Sequence, residues 1–323
     1  MKLNRRTFLH LAAGATALPL ATRFALAEDY PTRPVRVVVG FPASNASDIV
    51  ARLTGQWLSE RLGQPFVMEN RPGAGGNIGT EVVVNAAPDG YTLLSLSPSV
   101  ATNATLYDNL NFNFLRDIAP IAGVARAPYI LVVNPSLPPK TVPEFIAYAK
   151  ANPGKLDMAS AGNGSLSHMC GELFKTMAGV DMVHVPYRGS FVPDLLGGQV
   201  QVVFSPISQS IGYIKDGKLR ALAVTTATRQ ALLPDIPALA EFVPGYEAGG
   251  WYGMGAPRNT PADIVDKLNK EINAALTDPK MITALADLGA IPMPTTAAEF
   301  GKFLAAETEK WGKVIRAANI KPG

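Results

Sequence analysis

Residues 35–39 read VRVVV, a β-branched run broken only by Arg36, which predicts a strand buried on both faces of a parallel sheet. Behind it, Ile49, Val50, Leu53, Trp57, Leu58 and Leu62 recur at helical spacing, and Asp48 stands at the start, where an acidic side chain caps exposed N–H groups. Residues 66–68 predict a second buried strand, residues 72–76 a Pro/Gly turn, and an apolar helix opens near Asn77. Short apolar strands then alternate with helical stretches, through residues 91–96, 130–133, 145–151, 169–177, 183–185, 200–204 and 221–225. That alternation indicates an α/β fold.

After a strand over residues 251–256 the pattern becomes helical. Thr260-Pro261-Ala262-Asp263 combines an N-cap, a proline at the first helical position and an acid in the first turn, and it opens a helix carrying Ile264, Leu268, Ile272 and Leu276. A second helix follows Pro279. A third spans residues 297–318 and carries Phe300, Phe303, Leu304, Trp311 and Ile315. No internal repeat interrupts this order.

The first 27 residues have a different pattern: a basic start, an apolar stretch over residues 11–26 with no acid, and Ala25-Leu26-Ala27, a small-x-small cleavage site. This reads as a cleavable export signal. Arg5-Arg6 followed by Thr7-Phe8-Leu9 resembles the twin-arginine motif. Pro19 and Arg23 interrupt a stretch already short for a membrane anchor. Without these residues, 29 basic and 26 acidic side chains become 25 and 26, so the mature net charge is about −1. Nothing in that balance points to nucleic acid or an anionic membrane surface.

Cys170 is the only cysteine, so no internal disulfide forms and stability must come from packing. The 296 residues after position 27 suffice for two domains with separate cores. A nucleophilic hydrolase needs an activated serine or cysteine with a base in reach. Only His168 and His184 follow the signal, and the GNGSL string from Gly162 lacks the closing glycine of a nucleophile elbow. His168 reads as a packing or capping residue, His184 as part of a short strand, and Cys170 as a small buried hydrophobe. A serine hydrolase using Ser165 or Ser167 with His168 remains as an alternative. Neither histidine has metal-ligand spacing, so no metal and no cofactor is expected. Gly73 and Gly75 begin a GxG whose third glycine, Gly79, falls one position late for a dinucleotide site.

Three loops suit ligand binding: residues 41–48 (FPASNASD), 70–77 (NRPGAGGN) and 160–168 (SAGNGSLSH), each passing from a strand into a helix. Helix N-termini offer unpaired N–H donors and a partial positive charge that attract carboxylates. In an open α/β sheet, ligands collect beyond the carboxyl ends of the strands, where such loops lie. For any one serine the alternative is that it caps its own helix.

The run ENRPGAGGNIGTEVVVNAAPDGYTLL from Glu69 resembles a signature of the Bug family, the TctC-like periplasmic solute receptors. SAGNGSLSH from Ser160, HVPYRG from His184, DLLGGQVQV from Asp194 and GKLRALAVTT from Gly217 extend the resemblance over nearly all of the chain after residue 30. It implies a two-domain Venus-flytrap fold of the type II periplasmic-binding-protein class, with hinge crossings near residues 125 and 247. Domain 1 would comprise residues 28–125 plus 248–323, and domain 2 residues 126–247, after the signal at 1–27.

Carried over residue by residue, the resemblance places Ala43, Ser44, Asn45 and Ser47 of the first domain, and Ser160, Gly162, Gly164 and Ser165 of the second, around a small organic acid, with Tyr187 and Gly189 nearby. It implies a monomeric periplasmic receptor, not an enzyme, that delivers this carboxylate to the large and small membrane subunits of a tripartite tricarboxylate-type transporter. A sensor for a signalling partner is the other output compatible with the same receptor. Ser44-Asn45 replaces the family's common Gly-Gly, the segment after Gly189 is about two residues short, and Ser205 stands where an acid is common.

Overall fold

The computed structural model describes residues 30–187, 189–230 and 233–322. The export signal with its twin arginines, the start at Glu28, and Arg188 lie outside them. β1 (Val35–Val39) pairs in parallel with β2 (Phe66–Asn70) and β3 (Thr92–Leu96), and its four valines are wholly buried. β2 is not the buried strand its sequence predicts. It forms the sheet edge, with Val67 53% exposed, because among the described residues no strand covers its outer side.

The centre of the molecule is a strand the sequence reveals only in part. β4 (Ile118–Val133) runs for 16 residues, against an expectation of residues 130–133 alone. Pro120 and Pro128 hide the rest, since proline inside a run argues against a strand. The ladder shifts register just after Pro120, and Pro128 stands at the last pairing with β9 (Gly249–Pro257). Beyond it β4 changes partners, to β7 (Val202–Pro206) and β8 (Arg220–Val224). β7 pairs in parallel with β5 (Asp157–Ser160), and β5 with β6 (Val183–Pro186), while the short β10 (Ile291–Pro292) pairs with β4. The order β2-β1-β3-β9-β4-β7-β5-β6 makes one sheet with two halves that share β4. β9 lies antiparallel to both β3 and β4, so the sheet is mixed.

The helices in chain order are α1 (Ala46–Leu62), α2 (Asn77–Val84), α3 (Pro98–Leu106), α4 (Phe114–Asp117), α5 (Val142–Ala151), α6 (Leu166–Ala178), α7 (Val192–Gly197), α8 (Ile207–Lys215), α9 (Ala262–Ala275), α10 (Pro279–Asp287) and α11 (Ala297–Ala317). From the C-terminal end of the chain, α9 returns to pack on α1, and α11 on α3. Val35, Val50, Leu58, Leu268 and Ile272 form one core on that side, and Ile130, Val132, Leu195 and Val203 a separate core on the other. A third cluster bridges the halves through Phe174, Phe204, Trp251, Phe300 and Trp311.

Two helix starts differ from their predicted caps. Thr260 does not cap α9, because its hydroxyl donates to the Pro257 carbonyl at 2.8 Å. α1 is capped by Asn45, whose side chain accepts the Asp48 N–H, and Asp48 itself turns to other partners. α11 begins with a full capping box between Thr296 and Glu299.

Candidate functional site

A cleft of about 850 Å³ opens between the two halves of the sheet. Four helices begin on its wall. Asn45 and Ser47 at α1 and Ser97 and Ser99 at α3 come from one half, and Ser165 at α6 and Ser208 at α8 from the other. Each helix N-terminus leaves backbone N–H groups without helical partners and carries a partial positive charge. Between them lie Pro128 and Tyr129 of β4 and Gly250 and Tyr252 of β9, the two strands that connect the halves. Phe41, Leu106, Tyr107, Leu166 and Leu288 add apolar and aromatic surface, and Thr102, Asn103, Asn163 and Gln209 further polar groups. No charged side chain lines the cleft among the described residues.

The loop before α1 is held by a buried carboxylate. Asp48, 1% exposed, accepts hydrogen bonds from the Ser44 N–H at 2.9 Å, Arg52 Nε at 2.8 Å and Asn70 Nδ2 at 2.8 Å. Burial pushes this carboxyl up, but the bonds from Arg52, Asn70 and the Ser44 amide outweigh it and hold the group below the usual carboxylate range. The same loop puts Ser44 at φ +68°, in the left-handed region that favours glycine. Ala43 and Ser44 are therefore exposed and outside the cleft lining, whereas Asn45 and Ser47 line it. Ser47 is 5% exposed and its Oγ has no hydrogen-bond partner among the described residues.

On the other side Gly164 and Ser165 line the cleft, with Ala161 and Asn163 beside them. Ser165 caps α6, and its Oγ shares a 3.0 Å hydrogen bond with Ser167 Oγ, which accepts the Ala161 N–H at 3.0 Å. Ser160 and Gly162 are not in the lining. Ser160 is fully buried, with its Oγ 2.6 Å from His184 Nε2 and accepting the Gly162 N–H at 3.1 Å. Tyr187 and Gly189 are not in the lining either. The Tyr187 hydroxyl donates to Asp194 at 2.6 Å, which pushes its pKa up to about 12, and Gly189 is exposed with open space around it.

The two histidines stack, with ring centroids 3.5 Å apart and planes at 4°. His168 Nδ1 accepts the Gly164 N–H at 3.1 Å, so it is not the base of Ser165 or Ser167, and its Nε2 faces the Glu172 carboxylate at 3.7 Å. Ser160 and His184 stand at nucleophile–base distance, but a fully buried Oγ offers no path to a substrate. Burial also pushes the Cys170 thiol up, as an inert core residue requires.

Residues 50–320 match the Tripartite tricarboxylate transporter family receptor, TctC. The chain belongs to that family. Protein BugT of Bordetella pertussis (strain Tohama I) is 36% identical over 97% of this chain and 96% of its own. Among solved structures, R. palustris Rpa4515 with adipate is 38% identical, covers 91% of this chain and 100% of that one, and superposes with a TM-score of 0.75. MatC (Rpa3494) from Rhodopseudomonas palustris with bound malate is 33% identical, covers 88% and 100%, and has a TM-score of 0.71. This TctC receptor therefore has the two-domain fold of periplasmic solute-binding proteins, with β4 and β9 as its two crossings. TctC proteins are solute-binding receptors of the periplasm.

Of the ten positions expected to line the TctC cleft, Asn45, Ser47, Gly164 and Ser165 come together there, and the other six lie around it. The glycine turn of residues 70–77 contributes only Gly75. Its bare backbone serves packing instead: a Cβ on Gly40 would meet the Gly76 Cα at 2.9 Å, so the residue after β1 must be glycine for the turn to approach this closely. Ser97, Ser99, Thr102, Asn103, Ser208 and Gln209 are in the lining and were not expected. The signal for Ser97 and Ser99 is present in the sequence, since Ser-Pro-Ser after an apolar strand starts a helix with proline at its first position.

Proposed function

We propose that this protein captures a small organic acid between its two domains and hands it to the two membrane subunits of a tripartite tricarboxylate-type transporter. The observation that carries this reading is the convergence of helix N-termini from both halves on one cleft. Amides and hydroxyls there stabilise an anion without a counter-charge, because the partial positive charges of α1, α3, α6 and α8 point the same way. The relatives bound to adipate and malate support a carboxylate as the solute. We place the domain limits at residues 28–125 plus 248–323 and 126–247, beside the point where β4 exchanges β9 for β7 and β8.

A solute that touches both domains favours the closed state by its differential affinity. The site loops of residues 41–47 and 160–165 position this solute, and no covalent step is involved. Export follows from the signal, with a mature start at Glu28 that mass spectrometry of the secreted protein checks. The direct test is a thermal-shift screen of the mature protein against mono-, di- and tricarboxylates. A ligand at 100 times its Kd adds about 2.7 kcal/mol to stability. Stabilisation by nucleosides or sugars but by no carboxylate would refute the reading.

A further inference from the structure

His168 is not part of the cleft lining, yet its ring is bonded to the loop that carries Gly164 and Ser165 into it. We infer that His168 is a positioning residue for solute binding, setting the loop of residues 161–165 through the hydrogen bond it accepts from the Gly164 N–H, an inference that rests on the carboxylate reading above. The ring lies at the start of α6, 6% exposed, one helical turn beyond the glycine it holds.

The bond is chemically specific. A backbone N–H only donates, so Nδ1 of His168 presents its lone pair and the ring proton sits on Nε2, which faces the Glu172 carboxylate at 3.7 Å. That carboxylate favours the same tautomer, and it is itself held by Lys175 at 2.9 Å. The His184 ring lies flat on His168, 3.5 Å between centroids, so the plane of the accepting ring is fixed as well.

The loop depends on such a hold. Gly162 at φ +111° and Gly164 at φ +72° are both in the left-handed region, and glycine has the most backbone freedom to lose when a turn is fixed there. Ser167 accepts the Ala161 N–H, Ser160 accepts the Gly162 N–H, and His168 supplies the third acceptor. This third point is where the two halves of the molecule meet: a Cβ on Gly164 would stand 3.0 Å from Leu106 Cδ2 of α3. Loss of the acceptor leaves a half-buried N–H unpaired and frees the turn just before Ser165.

Two substitutions separate holding from packing. His168→Asn sets an amide oxygen at the place of Nδ1 and gives up the ring, whereas His168→Phe keeps a flat ring against His184 and gives up the acceptor. In titration calorimetry of the mature protein with adipate and with malate, His168→Asn should bind within about threefold of wild type and His168→Phe more weakly by about fivefold or more, even though the asparagine variant loses the stacked ring and should melt at the lower temperature. Amide hydrogen exchange at Gly164 in the ligand-free protein, followed by nuclear magnetic resonance, should speed up in His168→Phe and stay near wild type in His168→Asn. Affinity that follows melting temperature across the two variants, or wild-type affinity in His168→Phe, would make His168 a packing residue and overturn the inference. Binding of neither acid by wild type counts against the carboxylate reading and not against the hold on the loop, which exchange at Gly164 then decides: an unchanged rate in His168→Phe overturns it.

Discussion

Asp48→Ala removes the carboxylate on which the first cleft loop hangs. Three groups lose an acceptor: the Ser44 N–H, the Arg52 guanidinium and the Asn70 amide. Hydrogen bonds to a charged group contribute about 1.5 to 3 kcal/mol each, but they do not add here. Arg52 is 51% exposed and turns to water, and the Ser44 amide sits in an exposed loop, so both recover part of the loss. Asn70 keeps a bond to the Phe41 carbonyl at 2.9 Å. The net cost is then about 2 to 3 kcal/mol, equivalent to a Tm lower by about 3 to 5 °C in a protein of this size.

The sign of the pH dependence follows from the lowered pKa of Asp48. A carboxyl held below its unfolded value stabilises the fold above that value, and this stability is lost as pH falls through the folded one. The difference between wild type and Asp48→Ala should therefore be full at neutral pH and begin to shrink below about pH 4. Thermal unfolding followed by circular dichroism measures it. A variant melting within about 1 °C of wild type at pH 7, or a gap that widens on acidification, would refute the account of this loop.

Three further outcomes follow from the same structure. Glu307 is buried and accepts the indole N–H of Trp251 at 3.1 Å and of Trp311 at 2.9 Å, with Lys310 at its other oxygen, so Glu307→Gln should cost about 3 kcal/mol in urea unfolding. His184 is held down to about 4 by burial and by the neighbouring His168, with Glu172 opposing and Lys175 adding. Because the unfolded histidine titrates near about 6.5, stability should fall as pH drops through the window between these values, and His184→Gln should flatten that slope in urea titrations across it. Small-angle scattering should show a smaller radius of gyration when a tight acid is added, and an unchanged radius with binding confirmed would argue for a rigid pocket.

The fold was legible where local pattern and final environment agree. The valine run of β1 and the apolar stripes of α1 and α11 are readable because each buries the face its period predicts. β4 was not, since Pro120 and Pro128 mark the two places where its ladder shifts or changes partner, and only the tertiary structure gives those prolines a reason. The site divided along similar lines. The loops of residues 41–48 and 160–168 were visible as Ser/Asn/Gly loops before helices, whereas the single positions Asn45, Ser47, Gly164 and Ser165 came from the family resemblance and the structure puts them in the cleft lining. Ser208 and Gln209 stand in a Ser/Pro run after an apolar strand much like Ser97 and Ser99, but Pro128 and Tyr129 carry no such composition and reach the cleft only through the topology that sets β4, β7 and β9 side by side.

The central claim is that one anion is held from both domains at once. Calorimetry of a single tight carboxylate against wild type, Ser47→Asp and Ser165→Asp tests it most directly, because each variant sets a like charge at the helix start of one domain only. Exchange of a donor for a repelling charge removes a hydrogen bond of about 1.5 to 3 kcal/mol and adds repulsion, so each variant alone should lose at least about tenfold in affinity. Circular dichroism confirms that both are folded. Near-native affinity in either folded variant would contradict the claim and leave the solute bound to one domain alone.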